Sequence, residues 1–230
     1  MSVKENYASF MDSLSETALR YGRNLDDITV MAVSKTRSVL EIKEASEAGL
    51  KVFGENRVDE AAVKFSDKQL ENLPLYLIGH LQTNKVKKIT PRFSGVHSVD
   101  SLKKAELLSR ERIKYPEAAP LEILIQVNTS GEESKSGFRD KNEFLETASA
   151  VSSLPAVVLK GLMTMAPFTD DEKTVRECFS LCREWSLDAA QYIDGDPVLS
   201  MGMSSDYRWA VAEGSTLLRI GTLLFGRRNY

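Results

Sequence analysis

Histidine and cysteine are scarce, with two of each in 230 residues. Cys178 and Cys182 stand at i, i+4 on one expected helix. With no other cysteine or histidine near them they make neither a zinc site nor a disulfide framework, so packing is their expected role. His80 and His97 lack metal-ligand spacing to any acid or cysteine, and neither is assigned a metal. There is no excess of positive charge: 30 Lys and Arg face 33 Asp and Glu, a net charge of −3. Such a chain has no general pull toward nucleic acid or anionic membranes. No apolar run approaches the ~20 residues of a membrane span. The start, Met1-Ser2-Val3-Lys4-Glu5-Asn6, lacks the apolar core of a signal peptide, so a cytoplasmic location is expected. What is present, 42% apolar and 27% charged residues, fits a soluble globular protein.

The chain is organised around Ile28-Thr29-Val30-Met31-Ala32-Val33-Ser34-Lys35-Thr36. An unbroken apolar run rich in β-branched residues reads as a strand buried on both faces, as in a parallel sheet. Ser38-Val39-Leu40-Glu41 then has the capping-box pattern that opens a helix. The same alternation continues. Strands are predicted at 51–56, 75–79, 95–99, 123–128, 157–165, 198–201 and 217–221, and helices at 38–48, from 57, after 85, from 102, 140–152, around 175–185 and after Ser204-Ser205-Asp206, read as a cap. A helix over 3–22 precedes them, with Tyr7, Phe10, Met11, Leu14, Ala18 and Tyr21 as its apolar stripe. Val175, Cys178, Phe179, Cys182 and Trp185 form the inner stripe of the helix after strand six. Eight β/α units without a linker predict one domain over 1–230, a (β/α)₈ barrel in which the N-terminal helix covers the place of a nearly missing last helix. The rival, an open doubly wound sheet, usually has a glycine-rich first turn, and no G-x-G-x-x-G follows the first strand.

Barrel chemistry sits at the carboxyl ends of the strands. Those ends carry Lys35, Asn56, His80, Asn128, Ser200, Ser204, Arg219, Gly221 and Thr222. A lysine at an apolar barrel mouth is partly desolvated, which makes its amine a usable nucleophile toward a carbonyl; an ordinary solvated lysine is the alternative. The loops after strands seven and eight are where barrels bind phosphate, and Ser204-Ser205 and Gly221-Thr222 fall there, although capping and turn chemistry would use the same residues. Arg219, inside the last strand, must face the pocket or a buried acid. Met163, Met165, Met201 and Met203 either wall a flat ring or fill core gaps. Gly226-Arg227-Arg228 is either a tail or part of the phosphate field, and Lys85, Lys87 and Lys88 read as a solvated helix face. A reactive lysine, a phosphate cradle and an arginine in one mouth suggest a phosphorylated aldehyde held as an imine. Pyridoxal 5′-phosphate as a cofactor and a sugar phosphate in an aldolase both fit.

Six motifs taken together carry a resemblance that runs nearly the whole chain. They are Ala32-Val33-Ser34-Lys35-Thr36, Phe53-Gly54-Glu55-Asn56, the run from Ile78 to Lys85, Gly161-Leu162-Met163-Thr164-Met165, the run from Leu199 to Ser204, and the run from Arg219 to Gly226. The chain resembles the pyridoxal phosphate homeostasis proteins, single (β/α)₈ barrels like the N-terminal barrel of alanine racemase. The resemblance implies that Lys35 forms the internal aldimine with pyridoxal phosphate and that Arg219 faces the pyridine nitrogen, keeping it unprotonated. It places Asn56 beside the ring near its hydroxyl, and Ser204, Gly221 and Thr222, with Ser200, at the phosphate. Ser134-Lys135-Ser136-Gly137-Phe138 matches a family loop near the pocket. Leu75-Tyr76-Leu77 departs from the family's aromatic-His-Phe run, which implies repacking on the strand without loss of the cofactor.

The implied function is to hold and buffer or deliver pyridoxal phosphate, without established turnover. Eight β/α units are expected to leave no second domain to close over the cofactor or supply the tyrosine base of the racemases. A racemase-like enzyme or a Schiff-base aldolase is the alternative. The expected partners are pyridoxal phosphate and enzymes awaiting it, with no nucleic acid and no membrane, and a monomer is expected.

Overall fold

The computed structural model describes residues 2–227. Helix α1 (Val3–Arg20) opens on a capping box in which the Ser2 hydroxyl accepts the Glu5 amide and the Glu5 carboxylate accepts the Ser2 amide. The strands are β1 (Thr29–Val33), β2 (Val52–Glu55), β3 (Leu75–Leu77), β4 (Gly95–Val99), β5 (Leu121–Gln126), β6 (Val157–Met163), β7 (Val198–Ser200) and β8 (Leu217–Ile220). The helices between and after them are α2 (Val39–Glu47), α3 (Val58–Lys64), α4 (Val86–Ile89), α5 (Leu102–Arg112), α6 (Lys141–Ser152), α7 (Glu172–Asp188), α8 (Tyr207–Ala212) and α9 (Thr222–Phe225).

Each strand pairs in parallel with its successor, and β8 returns to β1 with Met31 opposite Arg219 and Ala32 opposite Ile220. The result is the expected closed (β/α)₈ barrel. Outward residues such as Ala32, Phe53, Leu75, Leu77, Ile123 and Ile220 are fully buried against the helices; each large one contributes about 1.5–3 kcal/mol of hydrophobic stabilisation. Helix α7 turns in the expected stripe of Val175, Cys178, Phe179, Cys182 and Trp185. Burial pushes the Cys182 thiol up to about 12 and raises Cys178 as well, so both stay protonated and act as packing groups.

After β8 the described residues form the one-turn helix α9, and α1 completes the outer layer by packing on α2, α8 and α9. Asn6 donates to the Leu224 carbonyl at 2.8 Å, and Phe10 meets the Tyr207 ring edge-on at 5.2 Å.

Two local expectations need correction. Ser204 does not cap α8: its hydroxyl accepts the Leu223 amide in α9 at 3.3 Å, while the Asp206 carboxylate, at the head of α8, accepts the Met203 amide. Asn128, expected among the polar groups of the mouth, is taken up by its own loop. Its amide group donates to the Glu132 and Lys135 carbonyls, both at 2.9 Å, and so folds the loop 129–137. Among the described residues no helix is long and apolar enough to cross a membrane.

Candidate functional site

Lys35 lies one residue past the Ser34 that follows β1, half-buried, in a turn closed by the Arg37 amide donating to the Ser34 carbonyl at 3.0 Å. The next residue, Thr36, has φ +63°. A β-branched residue in the left-handed region is a rare conformation that costs of order 1–3 kcal/mol and persists only where surroundings enforce it. The enforcing group is visible. Glu60, on α3, accepts the Thr36 amide at 2.5 Å and the Lys64 ammonium at 2.6 Å. Lys64 also donates to the Ser34 carbonyl at 2.7 Å and to Glu55 at 3.0 Å, and the Ser34 hydroxyl donates to that same Glu55 oxygen at 2.7 Å. Backbone on both sides of Lys35 is thus tied to one buried network behind the barrel wall.

The carboxyl ends of β2 and β8 flank this turn, since β1 pairs with both. On the β2 side, Asn56 follows the strand and lies against Gly79; a Cβ on Gly79 would fall 2.3 Å from the Asn56 carbonyl oxygen, so only glycine allows that approach. Asn56, Arg57, His80, Gln82 and Lys85 line a cavity of about 530 Å³ there. On the β8 side, Gly221 passes the Val33 carbonyl and leads into α9, where the Leu224 amide donates to the Gly221 carbonyl at 3.0 Å. Thr222 opens that helix, and the Ser204 hydroxyl reaches it from the loop after β7. Ser204, Gly221 and Thr222 thus meet at the amino end of α9, a place that favours negative charge.

Arg219 is 4% exposed and lies inside the barrel. It donates to the Ser200 carbonyl at 2.5 Å, to the Ser200 hydroxyl at 2.7 Å and to the Thr164 carbonyl at 2.9 Å. These bonds leave two of its five N–H donors for another acceptor. Its partners are neutral oxygens rather than a carboxylate. Burial pushes the guanidinium down to about 10, so it stays charged at neutral pH. Ser200, expected at the phosphate, is fully buried and bonded to Arg219 and to His97 Nδ1, the latter at 3.3 Å. His97 was a motif-less residue in the sequence; burial first, and Arg219 second, push it down to about 3, so its imidazole is neutral.

The loop match Ser134–Phe138 is pinned to the rim: Lys135 donates to the Ala166 carbonyl and to Glu132, both at 2.9 Å. Met163 and Met201 are buried in packing, whereas Met165 and Met203 are half-buried toward the mouth. Lys85 and Lys88 both bind Asp59 at 2.6 and 2.7 Å, which identifies them as a surface charge cluster. Arg227 is exposed, and Arg228, with the end of the chain, lies outside the described residues. Glu60 and Lys64 form an i,i+4 pair on α3 that the sequence offers locally, but their ties to Ser34, Thr36 and Glu55 carry no local signal, because those partners meet only when α3 folds back on β1 and β2.

Similarities to known proteins bear on this site. A family model described as alanine racemase, N-terminal domain, matches residues 11–229. The pyridoxal phosphate homeostasis protein of Pseudomonas aeruginosa is 41% identical over 231 residues, covering 100% of this chain and 97% of that protein. The structure of PipY from Synechococcus elongatus, solved with PLP bound, is 34% identical and superposes with a TM-score of 0.83, covering 98% of this chain and all of PipY. Alanine racemase from Corynebacterium glutamicum shares the fold, with a TM-score of 0.73 at 16% identity, and this chain spans 64% of its length.

Proposed function

Since the chain belongs to the pyridoxal phosphate homeostasis proteins of the alanine racemase N-terminal-domain family, we propose that it holds pyridoxal 5′-phosphate as a Schiff base on Lys35 and serves to buffer or deliver it, with residues 1–230 acting as one binding domain. The observation that carries this reading is the Lys35 turn, an amine on backbone held in a costly conformation at the carboxyl end of a barrel strand, beside the amino end of α9. The residues fit the group. Pyridoxal phosphate supplies an aldehyde that condenses with a primary amine with loss of water. Ser204, Gly221 and Thr222 are suited to its phosphate, and Asn56 to the polar edge of its ring. Arg219, cationic and with donors to spare, is suited to an unprotonated ring nitrogen, which weakens the ring as an electron sink. Ser200 serves by orienting Arg219.

Titration of the protein with pyridoxal phosphate, followed in the visible spectrum, tests this. A yellow imine band is expected, absent in Lys35→Ala and much weaker with pyridoxal lacking the phosphate. A colourless protein whose lysine is trapped by a sugar phosphate would favour the aldolase instead. The racemase fold gives turnover a specific second reading. Exchange of an amino acid's α-hydrogen with solvent at enzymatic rates would support it; the carrier reading expects none above that of free pyridoxal phosphate.

A further inference from the structure

The network behind Lys35 is more than a buried ion pair. Lys64 is 8% exposed and spends its three ammonium donors on the Ser34 carbonyl, Glu55 and Glu60. Glu60 passes the connection on to the Thr36 amide. Burial works against the Glu60 carboxylate, but the hydrogen bonds from Lys64 and Thr36 outweigh it and hold its pKa below the usual range. Glu55 keeps its other oxygen, Oε2, buried and without a partner, so the cluster is retained at a cost in desolvation. A lysine and two carboxylates here add little to stability on their own account, because buried ion pairs roughly break even against apolar packing. They do fix backbone. The bond to Glu60 fixes the peptide plane between Lys35 and Thr36, and the Arg37 amide bonded to the Ser34 carbonyl fixes the chain beyond it, so the left-handed φ of Thr36 is held between two anchored ends.

We propose that Lys64 and Glu60 are positioning residues that clamp the Ser34-Lys35-Thr36 turn in its left-handed conformation and so aim the Lys35 amine for condensation with a phosphorylated aldehyde. This rests on the reading of Lys35 above. In the condensation the amine nitrogen bonds to the aldehyde carbon and the carbonyl oxygen leaves as water, with no change of oxidation state. Neither clamp residue touches the aldehyde.

The test uses the full chain, pyridoxal phosphate as the probe, and the variants Lys64→Met and Glu60→Ala, with and without Thr36→Gly. Glu60 is on the rim of the network, so Glu60→Ala decides the matter if Lys64→Met does not fold. With Thr36 present, each variant is expected to form the visible band about tenfold more slowly or with about tenfold weaker affinity, in line with the strain at stake. Thr36→Gly removes that strain and should shrink the loss to roughly threefold or less. Amide exchange at Thr36 in the ligand-free protein should quicken in Glu60→Ala. Variants that only melt earlier, while forming the band as the wild type does, would overturn the clamp. So would a loss that Thr36→Gly leaves untouched, since that marks a merely structural role. If the wild type itself forms no band, the reading of Lys35 fails separately, and unchanged exchange at Thr36 would then refute the clamp on its own.

Discussion

A neutral histidine beside a buried guanidinium is the residue-scale feature with the plainest consequence. His97 titrates at about 3 in the fold, against about 6.5 in an unfolded chain. Between those values the unfolded state binds the extra proton, so stability is fully present above pH 6.5 and is lost as pH falls toward 3. The slope is about 1.4 kcal/mol per pH unit for this one group. His97→Asn, which keeps a polar partner for Ser200, should flatten the decline of the urea midpoint from pH 6.5 to 4; a variant as acid-sensitive as the wild type would remove His97 as the cause. At this scale the sequence was informative where a charge stands out against apolar neighbours. Lys35 and Arg219 announced themselves as ionic residues ending or interrupting buried strands. The bonds of Ser200 and Asn128 were not legible, because a hydroxyl or an amide at a strand end satisfies interior partners as readily as a ligand, and only the folded neighbours show which bonds it makes.

At the scale of elements, the strands were legible because a parallel strand covered on both faces must be continuously apolar, as Val30–Val33 and Ile123–Ile125 are. Helix starts were legible when a capping box was complete, as at Ser38 and Glu41. The head of α8 was not, since a serine near a helix can equally serve a neighbouring turn, and Ser204 serves α9. The loop 129–137 holds a sharper dependence on one residue. Gly137 has φ +117°, and a Cβ there would sit 2.9 Å from the backbone of Gln126, Val127 and Asn128. Gly137→Ala combines backbone strain with a clash that no side-chain rotation relieves, and should cost about 2 kcal/mol or more by urea unfolding. A cost within about 0.5 kcal/mol, the range of an ordinary surface change, would show that the loop is not fixed by that contact.

For the whole molecule, closure of the barrel brings the ends of β1, β2 and β8 together, and with them an amine, an amide side chain and a helix amino end that lie far apart in the chain. Helix α1 matters to this arrangement because it backs α9 where the last helix is a single turn. The motifs foretold which residues gather there; what they could not carry is the long-range tie from α3 that sets the backbone of the Lys35 turn. The most direct measurement is therefore chemical and site-resolved. Protein loaded with pyridoxal phosphate is reduced with borohydride, digested, and its peptides are mapped by mass. The expected result is the pyridoxyl mass on Lys35 alone, at one group per chain, with the visible band gone. Label spread over exposed lysines, or confined to one other than Lys35, would contradict the assignment of Lys35 as the amine this barrel was built to present.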